Sequence, residues 1–387
     1  MSDLRRSLQE LLGEGRDAAV ERERTAFDKQ AGSLGEGLVL FGAGHLGRKT
    51  LSGLRKAGLG PVAFADNDTG LWGKDVSGVP VLSLPDAARR HPEAIVVVTI
   101  WRGEGTDRMR ERLAQARNAG FERVIAFLPL FWKHHEVFLP HYAVDLPHRV
   151  VEQRDRVLAA FDLLSDEASR REFLGEVRWR LLGDFDDLGE PVATEIYFPE
   201  DLKRFSPEEE FVDCGAFDGD TLRRFFARVP GFTGRVAAFE PDPRNFEKLR
   251  NYRESLAPDL RSRIDIYPYA VGRERGTVRF NATGNEAAAV GFGSAEVPAV
   301  TLDEMLARGR PTYIKMDTEG SEIDALAGAA RTIARARPAL AVCVYHQQNH
   351  LWEIPLQIAS TAEGYRQYLR PQLLEGWDLV CYAIPGG

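Results

Sequence analysis

Two short glycine loops constrain the fold of this 387-residue chain more than any other feature. The first, Gly42-Ala43-Gly44-His45-Leu46-Gly47, follows the apolar run Leu38-Val39-Leu40-Phe41. The second, Asp213-Cys214-Gly215-Ala216-Phe217-Asp218-Gly219-Asp220-Thr221, follows Phe211-Val212. Each loop opens a helical pattern, and each is answered by an acid at the end of the next apolar run: Asp66 after the first, Glu240 after the second. Strand, glycine turn, helix, strand and acid together open a doubly wound α/β unit. There the turn and the helix N-terminus face a ligand, and the acid can take ribose hydroxyls. The pattern predicts two Rossmann-like units.

The rest of the chain fits that division. Residues 1–35 read as a charged N-terminal helix, with Leu4, Leu8, Leu11 and Leu12 at helical spacing. Residues 36–130 form the first unit, with strands expected at 38–41, 62–65, 95–100 and 123–128 and helices near 46–58 and 106–119. The run 95–100 is continuously apolar, as in a strand buried on both faces. Residues 131–207 lose the alternation. Val150, Val157, Leu158, Phe161 and Leu164 mark a helical stretch over 149–182, so the segment reads as a helical connector. Residues 208–387 restart the α/β alternation, with strands expected at 210–214, 235–240, 264–271, 312–317 and 338–345 and two more near 364–369 and 377–383.

The two loops differ in charge. The first holds no carboxylate and is followed by Arg48 and Lys49, so it tolerates a phosphate; Gly42, Gly44, Gly47 and Asp66 are its candidate nucleotide contacts. A turn that only packs a helix on the sheet is the competing reading. The second loop carries Asp213, Asp218 and Asp220, which would repel a pyrophosphate and suit a cation. S-adenosylmethionine (SAM) offers an ammonium and a sulfonium, and Glu240 stands where a ribose would lie. The candidate cofactor contacts are Asp213, Gly215, Ala216, Phe217, Gly219, Asp220, Thr221, Glu240 and Asp242.

These residues carry a resemblance. FVDCGAFDGDT, AFEPDPRNFEKL, YAVG (269–272), VTLDEML and IKMDTEGSEIDAL look like a SAM-dependent methyltransferase of the FkbM type, and VYHQQNHLWEIPLQI looks like a subgroup of it. The resemblance implies a seven-stranded class I methyltransferase fold and methyl transfer, usually to oxygen. It implies that Asp213 and the Gly215 backbone hold the methionine part and Glu240 the ribose. More loosely, GAGHLGRKTL, FADND and WGKDVSGVPVLSLPDA resemble nucleotide-sugar-binding Rossmann units attached to carbohydrate-modifying enzymes. That implies a nucleotide or nucleotide-sugar ligand, or a remnant that no longer binds one, and an acceptor that is a carbohydrate or another small molecule.

Methyl transfer to a hydroxyl needs an aligned acceptor and a place for its proton. Asp317 closes the expected strand 312–317, with Lys315 before it and Glu319 after it, and His346 follows strand 338–345. In one mechanism His346 is the general base. In the other, Asp317, His346 and Glu319 hold a divalent metal such as Mg²⁺. The bland readings are a hydrogen-bonded buried histidine, and acids that complement the start of a helix. Lys315 would pair with an acid or touch the acceptor. Trp352 and Tyr345 would stack on a sugar or pack a helix, and the small-residue stretch 281–296 would form a lid or a plain connection. His134, His135, His141 and His148 match no tight metal-ligand spacing, and Asn281-Ala282-Thr283 is a sequon that no secretion signal supports.

Composition narrows the function classes. A net charge of −8 disfavours a nucleic-acid binder, and three cysteines make no disulfide framework. No apolar run reaches the roughly 18 residues of a membrane span, and the charged N-terminus is unlike a signal peptide. The expectation is a cytoplasmic enzyme, open to forming a homo-oligomer. The acid is concentrated: residues 151–220 hold 8 basic and 20 acidic side chains, a balance of −12. Competing readings are an NAD(P)-dependent oxidoreductase acting through the first loop, and a non-catalytic nucleotide-sugar-binding module.

Overall fold

The computed structural model describes residues 3–32, 37–281, 289–290 and 295–386. Most of the stretch 281–296 therefore lies outside the described residues. The chain divides into two compact units. One comprises residues 1–155, 174–190 and 373–377, and the other 156–173, 191–372 and 378–387.

In the first unit, the strands are β1 (Leu38–Phe41), β2 (Pro61–Ala65), β3 (Asp75–Val76), β4 (Val79–Leu82), β5 (Ile95–Val98) and β6 (Val124–Ala126). They form one sheet in the order β3-β4-β2-β1-β5-β6, parallel except for β3. Every residue of β1 and β5 is buried, which accounts for their unbroken apolar sequence. The β3–β4 hairpin went unread in the sequence: it is short, and Pro80 interrupts the apolar alternation. The expected single N-terminal helix is two, Asp3–Leu11 and Arg16–Ala31, broken around Gly13 and Gly15. The sixth strand stops at Ala126, where the helix Phe127–Lys133 begins.

Residues 131–207 are not a separate connector. Their expected long helix is three, Pro147–Glu152, Arg154–Leu163 and Glu167–Leu182, and the segment is shared between the units. Aromatic burial explains part of that division. Trp179 and Phe185 join Trp101, Phe127 and Trp377 in the first unit's core, with Trp101 and Trp377 ring centroids 4.6 Å apart. The excursion 373–377 is also fixed by Glu375, whose carboxylate pairs with Arg112 at 2.8 Å where both are buried.

The second unit is built on β7 (Glu210–Cys214), β8 (Arg235–Phe239) and β9 (Ile264–Tyr267). A small sheet follows, of β10 (Ala270–Val271), β11 (Gly276–Asn281), β12 (Ala289–Val290) and β13 (Ala295–Val300). The chain then returns with β14 (Tyr313–Met316), β15 (Ala339–Cys343), β16 (Tyr365–Pro371) and β17 (Leu379–Pro385). The main sheet has the order β16-β17-β15-β14-β7-β8-β9, with only β17 running against the others. The expected strand 264–271 is split: Pro268 cannot donate to a ladder, and the chain leaves the main sheet there. Order reverses between β7 and β14, so the open crevice of the sheet lies beyond their carboxyl ends.

Candidate functional site

Both candidate loops sit at such reversal points. In the second unit β7 lies between β8 and β14, and the loop after it is locked to both. Gly215 has φ +82, and a Cβ there would lie 1.8 Å from the Asp317 carbonyl oxygen, so no other residue fits. On the other side Glu240 leaves β8 and accepts the Phe217 N–H at Oε2 and the Asp242 N–H at Oε1, both at 2.8 Å. Burial pushes its carboxyl up to about 7, and the two backbone donors offset only part of that. Each Glu240 oxygen keeps acceptor capacity beyond its one N–H.

The loop residues divide by environment. Asp213 is fully buried, and its carboxylate meets the Lys315 ammonium at 3.1 Å. Lys315 also donates to the Gly215 carbonyl at 2.6 Å. Burial opposes that ammonium, but Asp213, Asp317 and Asp220 outweigh it and hold its pKa above the ordinary lysine value. Asp213, expected to hold the methionine part, is thus also the buried partner of Lys315. Lys315 pairs with an acid, one of the two roles expected of it. Asp242 is buried and accepts from Arg244 N–H (2.8 Å) and Asn245 N–H (3.1 Å), capping the helix Pro243–Ser255. Thr221 is buried, while Asp220 is partly exposed in the first turn of the helix Asp220–Arg228. Ala216 is buried; Phe217, at φ +46, and Gly219 complete the turn.

The ends of β14 and β15 hold a second group. His346 is buried, its Nε2 lies 3.5 Å from both Asp317 Oδ1 and Glu319 Oε1, and its Nδ1 lies 2.9 Å from Glu322 Oε1. Glu322 also meets His350 at 3.2 Å and accepts the Thr318 N–H at 2.8 Å. Burial disfavours the imidazolium, yet Glu322 and Glu319 outweigh it and hold the His346 pKa well above the usual histidine value. The Glu322 contact holds Nδ1 and leaves Nε2 turned toward Asp317 and Glu319. Glu319 is shifted upward by burial ahead of the opposing His346 charge.

Three contributors went unread in the sequence. Tyr197, from the supposed connector, donates its hydroxyl to Asp317 Oδ2 at 2.8 Å, and its ring lies 5.1 Å from the Lys315 ammonium. Glu322 looked like a helix-start acid and is instead the partner of two histidines. Asp378 has its carboxyl pushed up to about 6 by burial and by Asp317. Only Glu322 left a signal, four residues ahead of Leu326 in the quoted helix; Tyr197 sits outside any periodic segment, and Asp378 lies in the strand expected near 377–383 with nothing to mark it. Trp352 and Tyr345 are buried and offer no open ring to a sugar.

In the first unit Asp66 takes the same post as Glu240: its Oδ2 accepts the Ala43 N–H at 2.6 Å and its Oδ1 the Asp68 N–H at 2.8 Å. A Cβ on Gly47 would lie 1.8 Å from the Gly42 carbonyl oxygen, and Gly44 faces open space. The histidines near 131–148 do not converge. His141 Nδ1 lies 2.8 Å from Lys49 Nζ, and His148 lies 3.0 Å from Glu23. No helix among the described residues is long and apolar enough to cross a membrane.

Residues 213–372 match the family model of the methyltransferase FkbM domain. Over 98% of this chain and 99% of that one, the fold is similar to the crystal structure of methyltransferase FkbM from Methylobacillus flagellatus KT, with a TM-score of 0.79 and 24% identity. Weaker similarities include a precorrin-6y C5,15-methyltransferase from Geobacter metallireducens GS-15 (TM-score 0.32, 12% identity, 53% of this chain, 98% of that one). Aeropyrum pernix fibrillarin in complex with SAM is another (TM-score 0.30, 12% identity, 47% of this chain, 70% of that one). Among curated proteins none matches. Residues 213–372 of the second unit are thus similar to a methyltransferase FkbM domain, and the chain shares the fold of the Methylobacillus flagellatus structure.

Proposed function

We propose that the protein transfers the methyl group of SAM to a hydroxyl of a carbohydrate or glycoconjugate. The observation that carries oxygen as the acceptor atom is the cluster Asp317, Glu319 and His346, set beyond the same sheet edge as the glycine loop after β7. The adenosine ribose lies against Glu240, whose remaining lone pairs accept the two hydroxyls. The turn 215–219 lines the methionine part, and Asp220 faces its positive charge. As the acceptor oxygen bonds to the methyl carbon, the carbon–sulfur bond breaks in line, leaving S-adenosylhomocysteine and a methyl ether. The hydroxyl proton passes to the Glu319 carboxylate, which its burial makes the stronger base. His346, held through Nδ1 by Glu322, turns Nε2 toward Asp317 and Glu319.

The carbohydrate reading is supported by the likeness of the first unit to nucleotide-sugar-binding units. There we propose a nucleotide or nucleotide sugar on the loop 42–47, where Gly44 leaves room and the helix His45–Lys56 presents its N-terminus. The test is transfer of labelled methyl from SAM to cell-envelope glycans and nucleotide sugars. Asp317→Asn is expected to lower turnover at least 100-fold while SAM still raises the thermal midpoint. Full turnover in Asp317→Asn, or a midpoint raised by NADH and not by SAM, would overturn the proposal.

A further inference from the structure

Asp317 Oδ1, Glu319 Oε1 and His346 Nε2 stand together beyond the ends of β14 and β15. The three atoms lie within 4.8 Å of one another. Each carboxylate oxygen is 3.5 Å from Nε2. A charge-assisted N–H···O bond closes to about 2.7–2.9 Å. Two ligand atoms, each about 2.1 Å from one divalent ion, stand about 3.0 Å apart at a right angle and about 3.4 Å apart at a tetrahedral angle. The two 3.5 Å separations from Nε2 are close to those of donors sharing a cation at a tetrahedral angle.

The orientation of the donors points the same way. His346 presents Nε2 because Nδ1 is held by Glu322 at 2.9 Å. Glu322 cannot turn away, since its Oε1 also accepts the Thr318 N–H and its Oε2 meets His350 at 3.2 Å. Asp317 presents Oδ1 because the Tyr197 hydroxyl donates to Oδ2 at 2.8 Å. Lys315, the nearest ammonium, is 3.9 Å from Oδ2 and engaged with Asp213 and the Gly215 carbonyl. Two of the three donors thus have an outer partner on the far atom, the device that fixes ligand tautomer and direction in metal sites.

We propose that Asp317, Glu319 and His346 bind a divalent cation, with Tyr197 and Glu322 as positioning residues. Two oxygens and one imidazole nitrogen suit Mn²⁺ or Zn²⁺ better than Ca²⁺. The cation's role, though not its binding, rests on the methyl-transfer reading. Its open positions take the acceptor hydroxyl and lower that hydroxyl's pKa, while Glu319 keeps its second oxygen for the proton.

The test is a titration of the full chain with Mn²⁺, followed by the electron paramagnetic resonance of the free ion, and with Zn²⁺ by calorimetry. Neither SAM nor acceptor is present. One saturable site per chain is expected. Asp317→Asn should abolish it, and Tyr197→Phe and Glu322→Gln should weaken it about 10–100-fold. Tyr197→Phe keeps the ring against Lys315 and serves if Asp317→Asn fails to fold. Absence of a saturable site for either ion, or equal affinity in wild type and Tyr197→Phe, would overturn the inference. A thermal shift with SAM but no cation site overturns the cation alone. A cation site in a protein that ignores SAM overturns the methyl-transfer reading alone.

Discussion

Glu240 carries a pH dependence that can be signed. Its carboxyl sits at about 7 because burial raises it from the ordinary glutamate value. Two ribose hydroxyls donate to the ionised form and have less to gain from the neutral one. SAM should therefore bind with constant affinity above pH 7 and lose about tenfold per pH unit below it. Glu240→Gln should remove that slope and lower affinity at pH 8, measured by calorimetry; an unchanged slope would remove the ribose role. The identity of this residue was legible because strand, turn and acid are local in sequence. The pairing of Asp213 with Lys315 was not, since the two lie 102 positions apart and pattern reading cannot measure depth. Gly215 shows the same limit: the sequence marks a turn, but only the Asp317 carbonyl at 1.8 Å from a notional Cβ makes substitution prohibitive. Gly215→Ala should fail to yield folded protein.

Among elements, the junction of β7 and β14 holds the site's frame. Their parallel register sets Lys315 beside Asp213, and the ammonium then bridges that carboxylate to the Gly215 carbonyl. The pair lies in the interior, where desolvation cancels much of the attraction but a lone charge is costly. Lys315→Met should destabilise the second unit by about 3–5 kcal/mol in urea unfolding, because Asp213 is left buried and unpaired. Adding Asp213→Leu to Lys315→Met should recover much of that loss. A double variant as unstable as the single would mean that the lost Gly215 contact, not the stranded charge, dominates. Of the elements, the long apolar strands and the helices after the glycine loops were legible. The strands β3, β4 and β10 to β13 were not: β3, β10 and β12 are two residues long, proline interrupts β4 and β13, and β11 mixes polar with apolar residues. The supposed connector failed for another reason. Its helix Glu167–Leu182 buries polar residues such as Glu172, Glu176 and Arg180 beside Phe173 and Trp179, and aromatic packing at Trp179 and Phe185 divides the segment between two cores in a way no local pattern records.

Over the whole molecule, one device is used twice with opposite charge. In each unit an acid at the end of the second strand accepts an N–H from the glycine loop: Asp66 from Ala43, Glu240 from Phe217. The charge around the loops then separates them. Arg48 and Lys49 follow the first, and burial lowers the Lys49 pKa to about 8. Asp218 and Asp220 flank the second. The net −8 is thus not one acidic surface, and a cationic cofactor has a charge-based reason to choose the second loop. A ligand at about 100 times its Kd stabilises the form it binds by about 2.7 kcal/mol. With two compact units a single melting midpoint blends their responses, so the discriminating measurement is local hydrogen exchange. Adding SAM should slow exchange at the amides of residues 215–221 and 238–246 and leave those of residues 42–47 unchanged. Slowing confined to 42–47 would assign the cofactor to the wrong unit and return the oxidoreductase reading. Slowing in 215–221 that disappears in Glu240→Gln would tie the effect to the ribose carboxylate.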